Sequence, residues 1–535
     1  MTTVVVISGP VAAGKTTLAT GLVDRYGGTI VKTRETLRNL AAREGVDLRD
    51  RRGLQEFGER LDRESNGRWV TEATRSASDG GALLVVDAAR ISAQVEDLRE
   101  TYGRRLVHVH LTSSSKEELE LRYRTRPSTI DELPTYKAVT ENPTEANIAE
   151  LAATADAVLD TYKNTASDIL IRCAAHLGLL PSLTVPLVDV LVGGEWGSEG
   201  KGNIAYYLAG EYDLLVRVGG PNAGHKVPHG GSFTHRSLPS GALANPNAHL
   251  IIGPGAVIDP RVLLTEIAEA GVEDARLTID PQTMVISPDD ILAEEELVRS
   301  IGSTGTGVGS ATARRVLGRR AEEPAELARD IPELRPYVGQ TSDLLSEAFS
   351  QRKRILVEGT QGTGLSMFHG EYPWVTSRDT TVAGVLSEAG IGPRRVRRVI
   401  MVCRSYPIRV GGPSGPMGAG RELTWKEIEQ RAGLKPGSIE EKGSVSGKTR
   451  RVAEFDWQLL RRSAELNSAT DIALTFADYI DATNRRAFRY EQLTRPTIQF
   501  VEEIERVSGA PVSLIATDFS KRSVIDRRTW RGHIL

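Results

Sequence analysis

The run Leu187-Val-Asp-Val-Leu-Val-Gly-Gly-Glu-Trp-Gly-Ser-Glu-Gly-Lys-Gly202 decides the larger part of the fold. A short apolar stretch passes directly into a glycine-rich turn that ends on lysine. This reads as a buried strand whose end opens on a phosphate-binding loop. The same pattern stands at the head of the chain, in Val4-Val-Val-Ile-Ser-Gly9-Pro-Val-Ala-Ala-Gly14-Lys15-Thr16. That second run fits GxxxxGK[ST], and Leu18, Leu22 and Val23 follow it at helical spacing. Gly9 and Gly14 let backbone N–H groups curl around phosphate, Lys15 reaches terminal phosphates, and Thr16 offers a hydroxyl to Mg²⁺. Thr17 joins these nucleotide-binding residues at the helix N-terminus, whose dipole favours an anion.

Two strand-to-loop starts imply two nucleotide-handling domains, residues 1–180 and 187–535. The boundary is marked by Gly178, Pro181 and Pro186. In the first domain, Leu83–Asp87 and Leu106–Leu111 add strand-like runs with helical stretches between them. Such alternation predicts a parallel sheet covered by helices. The expected class is α/β throughout: a P-loop NTPase-type parallel-sheet domain followed by a larger α/β domain. Residues 321–335, charged and containing proline, read as a solvated helical excursion.

The remaining bulk properties exclude classes of function. A net charge of −3 over 535 residues gives no general attraction to nucleic acid or anionic membrane. Phosphate must therefore be held by local sites. The two cysteines, Cys173 and Cys403, lie far apart without metal-ligand spacing, which argues against a disulfide framework and fits a reducing cytoplasm. No apolar run reaches the ~18 residues that span a bilayer. The chain enters a strand at once, with no basic leader, so no signal peptide is expected.

Within 1–180, Asp87 ends a strand-like run and is placed to serve as a Mg²⁺-shell carboxylate. Arg122, Arg124 and Arg126 either close over phosphate or form a solvated helix face. The domain resembles the nucleoside-monophosphate and dephospho-CoA kinase group. Val86-Asp-Ala-Ala-Arg90 is similar to that group's strand-end Asp followed by Arg. Thr33–Arg38 stands where small kinases seat an acceptor monophosphate. The resemblance implies a kinase-like activity and leaves the acceptor open.

Beyond residue 187 a series of loops follows in order. They are Gly219-Gly-Pro-Asn-Ala-Gly-His225, Leu238-Pro-Ser-Gly241, Ile252-Gly-Pro-Gly255, Gly302-Ser-Thr-Gly-Thr-Gly307, Glu358-Gly-Thr-Gln-Gly362 and Tyr372-Pro-Trp-Val-Thr-Ser377. One such loop is weak; the ordered set resembles adenylosuccinate synthetase across 187–535. The resemblance implies a Mg²⁺-dependent enzyme joining aspartate to a 6-oxopurine monophosphate. A nucleoside triphosphate first phosphorylates the 6-oxygen, and the aspartate amine then displaces that phosphate. It implies His225 as general acid at O6, Lys201 on the phosphate side, and Gly224 as a carbonyl ligand to Mg²⁺. Asn222, Thr304, Gln361 and Thr376 hold the nucleotide; Gln361 and Lys201 are counted with the catalytic set. The resemblance further implies that Arg450 and Lys448, in the Ser444–Arg451 loop, contact the aspartate carboxylates and that Asp478 reads the donor base. The resemblance also implies a homodimer in which an arginine of the Ala311–Arg320 run reaches the partner subunit's substrate phosphate. Arg314, Arg315, Arg319 and Arg320 are the candidates, and Arg320 is chosen from its place after the small-residue segment.

Four departures bear on specificity. Lys448 stands where the bacterial enzymes have an Arg, and a lysine is a point charge rather than a fork. Phe476 replaces a lysine beside Asp478, and Thr517–Ser520 replaces a Gly-Pro element, which favours ATP or dATP over GTP as donor. Ser198 replaces the Asp that takes the purine N1 proton. A hydroxyl is a poor base and a poor Mg²⁺ ligand, but Ser leaves room beside N1 and accepts a hydrogen bond from a 2-amino group. The phage 2-aminoadenylosuccinate synthetases, which act on dGMP, are similar in carrying Ser here. The readings are therefore a dGMP-directed ligase, a conventional IMP- and GTP-using synthetase with an accessory kinase domain, or a nucleotide sensor without turnover.

Overall fold

The computed structural model describes residues 2–528 apart from 49, 78–80, 82, 126–132, 181–184, 321, 323, 419, 440 and 444–446. The chain divides into two compact units, 1–181 and 182–535. Each is an α/β unit built on its own parallel sheet.

Unit 1 carries five strands: β1 (Thr3–Ser8), β2 (Thr29–Val31), β3 (Leu83–Ala89), β4 (Leu106–Thr112) and β5 (Ala157–Asp160), in the order β2-β3-β1-β4-β5. Every pairing is parallel. Alternate residues of β1 feed opposite faces: Val5 and Ile7 pack with Val85 and Leu111, while Val4 and Val6 pack with Leu84 and Val86. Burial on both faces is why the strand reads as a continuous apolar run. Four helices matter below: α1 (Lys15–Tyr26), α2 (Thr33–Arg43), α3 (Arg51–Ser65) and α4 (Arg68–Ala77). The left-handed Gly14 (φ 86°) caps α1 and turns the P-loop into it.

Beneath that loop lies a buried polar relay. Ser8 Oγ bonds to His108 Nε2 at 2.7 Å and to His110 Nδ1 at 2.8 Å. Burial, with the neighbouring His110 and Lys15 charges, pushes both imidazoles down to about 4. The folded state therefore binds protons less readily than the unfolded one between pH 6.5 and 4. Unit 1 should lose about 2–4 kcal/mol as pH falls through that window. Urea unfolding of the full chain at stepped pH checks this. A His108→Gln/His110→Asn chain, which keeps acceptors near Ser8, should show a flatter profile for the unit 1 transition.

Unit 2 is built on nine strands. Their spatial order is Leu277–Ile279, His249–Ile252, Leu214–Arg217, Ile355–Glu358, Val188–Gly193, Val396–Arg404, Asp471–Thr475, Val512–Ala516 and Val524–Asp526. All neighbours are parallel except the last pair. Val190, Val192 and Met401 face one core; Leu191, Ile400 and Val402 face the other. The carboxyl ends of the parallel strands open on one edge, where the glycine loops lie.

Two sequence expectations change here. Residues 321–335 do not form an α-helical excursion: the described part is coil followed by 3₁₀ turns, Ala328–Asp330 and Pro332–Tyr337, with Ala328 and Leu334 buried in the core. Prolines at 324, 332 and 336 deny an α-helix its N–H donors. Arg122 and Arg124 are tied to Glu118 and Glu120 one helical turn back, and Arg122 also holds Thr161, as a surface helix face does. Arg126 lies outside the described residues.

Candidate active site

A cavity of about 640 Å³ opens in unit 2 at the edge where the strands end. It gathers ten of the residues expected from the sequence: Ser198, Lys201, Asn222, Gly224, His225, Thr304, Gln361, Thr376, Arg450 and Asp478. Residues from several loops converge because four of the preceding strands, Leu214–Arg217, Ile355–Glu358, Val188–Gly193 and Asp471–Thr475, are parallel and close in the sheet.

The floor is a charge network around His225. His225 Nδ1 lies 2.5 Å from Glu358 Oε1 and 2.8 Å from Arg217 Nη1. Arg217 pairs with Glu358 at 3.1 Å. Ser240 donates to Glu358 through its amide, at 2.8 Å, and its hydroxyl, at 2.5 Å. All four are buried. Burial opposes charge on Glu358, but Arg217 and His225 outweigh it and hold the carboxyl well below the usual range. The carboxylate thus accepts a hydrogen bond from Nδ1–H and holds the ring in that tautomer. Nε2, which makes no protein hydrogen bond among the described residues, is left for whatever enters the cavity. Burial and the Arg217 charge push the imidazole down to about 3, so the ring is neutral near pH 7. An anionic ligand beside Nε2 would raise the ring's affinity for a proton.

Lys201 sits on the opposite wall, 2% exposed. Its ammonium is fixed by Glu199 Oε2 at 2.6 Å and by the Gln361 carbonyl. Glu199 also accepts from the amides of Gly197, at 2.8 Å, and Glu195, at 3.2 Å. The lysine clamps two loops to each other rather than standing free for phosphate. Gly362 makes this possible: a Cβ there would lie 2.1 Å from Glu199 Oε1. Ser198 turns through the left-handed region at φ 55°, and Gln361 does so at φ 54°. Ser198 is exposed to the cavity and its carbonyl accepts from Arg404 Nη1 at 3.1 Å.

Several buried polar atoms in the cavity wall lack a protein partner: Asn222 Oδ1, both amide atoms of Gln361, and Arg450 Nε. A buried polar atom left unpaired costs about 1–3 kcal/mol. Their collection in one cavity marks where a polar ligand would satisfy them. Lys448 and Arg320 do not line it; both are exposed. Of the arginines after Gly307, Arg314 is held by Asp290 at 2.8 Å, Arg315 by backbone carbonyls and Arg319 by the Val316 carbonyl. Arg320 makes no hydrogen bond or ion pair among the described residues. Residues 444–446 of the aspartate-side loop lie outside them.

At the far end, Asp478 Oδ2 accepts from Arg485 Nε at 3.0 Å and Nη2 at 2.9 Å. Phe476 lies under the Arg404 guanidinium at 4.0 Å and beside Tyr479. No cluster of three metal-ligating side chains occurs among the described residues. The cavity instead offers scattered oxygens from separate loops, with Glu199 already committed to Lys201. That donor set fits a magnesium ion held mainly by substrate phosphates and water, the way this ion is usually bound.

In unit 1 the P-loop is closed on itself. Lys15 donates to the Gly9 carbonyl at 2.7 Å and the Pro10 carbonyl at 2.8 Å. Thr16 and Thr17 open α1. Asp87 Oδ1 accepts from the Thr33 amide and hydroxyl, both at 2.9 Å, and so caps α2.

Arg217 and Glu358 are the site residues that sequence reading gave no role. Their signal was a charged residue ending a buried strand, in Leu214-Leu-Val-Arg217 and Ile355-Leu-Val-Glu358.

A cavity at the carboxyl edge of a parallel sheet, lined by glycine loops and holding a fixed imidazole, is the arrangement of an α/β enzyme that handles a nucleotide. Residues 190–330 and 318–487 match the family model for adenylosuccinate synthetase, and the chain belongs to that family. The Thermococcus onnurineus adenylosuccinate synthetase is 41% identical over 349 residues, covering 63% of this chain and 98% of the relative. The Methanocaldococcus jannaschii enzyme is 38% identical over 349 residues, covering 63% and 96%. The solved structure of the cyanophage S-2L succinoaminodeoxyadenylate synthetase, bound to dGMP and dATP as an energy donor, matches with a TM-score of 0.55 at 27% identity. It covers 65% of this chain and 98% of that one. No helix among the described residues is long and apolar enough to cross a membrane.

Proposed function

We propose that residues 187–535 join L-aspartate to dGMP with hydrolysis of ATP or dATP. The product is N6-succinyl-2-amino-2'-deoxyadenylate. Residues 1–180 form a fused P-loop (deoxy)nucleoside-monophosphate kinase. The observation that carries the ligase reading is Ser198: a small hydroxyl facing the cavity from the loop where the family's N1-directed Asp is expected. Guanine brings a 2-amino group next to N1, and Ser198 can accept from it where a larger carboxylate would crowd it. The likeness to a phage enzyme held with dGMP supports the same reading.

In this scheme the donor's γ-phosphoryl passes to the purine 6-oxygen, and the aspartate amine then displaces inorganic phosphate from C6. His225 Nε2 faces the 6-oxygen. Phosphorylation of the 6-oxygen releases the purine N1 proton, and the negative charge of the transferring phosphate favours its uptake by His225. The imidazolium then donates it to the departing phosphate oxygen as the aspartate amine, giving up one proton to solvent, bonds to C6. Asn222, Thr304, Gln361 and Thr376 orient the monophosphate, and Arg450 receives an aspartate carboxylate. Mg²⁺, carried by phosphate oxygens and the Gly224 carbonyl, would offset charge on the transferring group. Asp478 is already shared with Arg485, which weakens it as a reader of guanine and supports an adenine-type donor over GTP. Arg320, exposed and unpaired, is kept as the residue that completes the site across a homodimer. In unit 1, Thr16 is kept as the Mg²⁺ hydroxyl and Asp87, through Oδ2, as its carboxylate.

The 41% identity to archaeal adenylosuccinate synthetases favours a second reading, conventional synthesis from IMP. Incorporation of labelled aspartate into dGMP and IMP decides between the two. We expect dGMP to be the faster substrate and Ser198→Asp to move preference toward IMP by about tenfold or more, the scale of one discriminating contact. IMP turned over tenfold faster by the unmodified chain would overturn the dGMP reading. No incorporation with either would leave a nucleotide sensor.

A further inference from the structure

A second cavity, about 100 Å³, lies in unit 1 at the ends of β2 and β3, the two strands on one side of β1 and its P-loop. One wall is α3, which presents Gln55, Glu59 and Asp62 to it at helical spacing.

One end of this slot is cationic. Arg51 and Arg90 both pair with the buried Glu145, Arg51 at 3.4 Å. Arg34, half-buried on α2, makes no ion pair or hydrogen bond among the described residues. Three guanidiniums line the slot and two of them share one carboxylate, Glu145, an excess of positive charge that suits a terminal phosphate.

The other end is an ordered set of acceptors and one donor. Glu59 Oε1 accepts from Asn142 Nδ2 at 2.8 Å and Thr144 Oγ1 at 3.2 Å, and Oε2 has no hydrogen-bond partner among the described residues. Asp62 Oδ1 accepts from Trp69 Nε1 at 2.7 Å and Gln94 Nε2 at 2.9 Å, and Oδ2 is likewise unused. Burial pushes the Asp62 carboxyl up, so its charged form gains from a further donor. Gln55 Nε2 is buried without a partner. The slot therefore offers two carboxylate oxygens that need N–H groups and one amide N–H that needs an acceptor.

Among nucleobases this matches one edge. Guanine carries a carbonyl oxygen, a ring N–H and an amino group in succession. Adenine and cytosine place a ring acceptor beside their amine, and thymine flanks its single N–H with carbonyls. We propose that the slot is an acceptor site for a monophosphate with a guanine-type edge, its phosphate held by Arg34, Arg51 and Arg90 and its base read by Gln55, Glu59 and Asp62. The assignment rests on the kinase reading of residues 1–180 given above.

The test is diphosphate formation from ATP by the full chain, with dGMP, dAMP, dCMP and dTMP as acceptors and Lys15→Ala as the turnover control. Glu59→Gln and Asp62→Asn keep the oxygen that accepts from neighbouring side chains and replace the unused one with an N–H donor. Both variants should fold, which circular dichroism and the unfolding transition verify. We expect dGMP to be preferred and each variant to raise KM for dGMP by about 10- to 100-fold with KM for ATP unchanged, the scale of a hydrogen bond to a charged group. Any of the other three acceptors used as well as dGMP overturns the base assignment and leaves the kinase reading standing. If none of the four is phosphorylated, the kinase reading fails. Equilibrium dialysis with dGMP then judges the slot: Glu59→Gln lowering the dGMP bound per chain from two equivalents to one supports it, and unchanged stoichiometry overturns it.

Discussion

Replacing His225 with alanine should slow aspartate ligation by about 10²–10⁴-fold, the range expected for loss of a positioned proton donor. Binding of the purine monophosphate should stay within a few-fold. The ring is held from one side only: Nδ1 belongs to Glu358, and Nε2 is left for the ligand. Removing it leaves Arg217 and Glu358 paired, so stability should change little beyond the lost packing. Steady-state rates with saturating nucleotide, together with a binding isotherm for the monophosphate, make the measurement. Retention of most of the activity would remove His225 from the chemistry.

Glu358→Gln should behave differently. The substitution is nearly isosteric but removes the charge that Arg217 faces in a buried setting. A buried guanidinium deprived of its partner costs about 3–5 kcal/mol, so the unit 2 unfolding transition should move to lower urea. The same change releases Nδ1 from the anion that fixes its proton. Loss of an orienting carboxylate behind a catalytic imidazole can cost up to ~10⁴ in rate, and we expect at least 10²-fold here. A Glu358→Gln chain of unchanged stability and rate would show that the network only fills space. The contrast with His225→Ala separates the roles, one variant losing rate alone and the other losing rate and stability together.

The glycine-lysine runs after apolar strands were legible because each combines a buried period with a loop that only small residues permit. Ten residues expected from the resemblance do meet in one cavity. The Arg217–Glu358 pair was not legible. The two residues face each other across adjacent strands, more than a hundred positions apart in sequence, and strand adjacency of that kind is set by the order of the sheet rather than by local pattern. Lys201 was expected to face phosphate, and its type and loop were read correctly. Its commitment to Glu199, two residues back, depends on a left-handed turn at Gly200 that composition does not specify. The helix expected at 321–335 failed on its prolines, a signal the sequence did carry.

The left-handed backbone at Ser198 also constrains how specificity can change over evolutionary time. Asp and Asn are the non-glycine residues that tolerate this region best, and β-branched residues are genuine outliers there. A lineage can therefore exchange hydroxyl for carboxylate at this position without rebuilding the loop, whereas drift toward Val, Ile or Thr is closed by the main chain itself. The backbone thus narrows the alphabet available at 198 to a few short side chains.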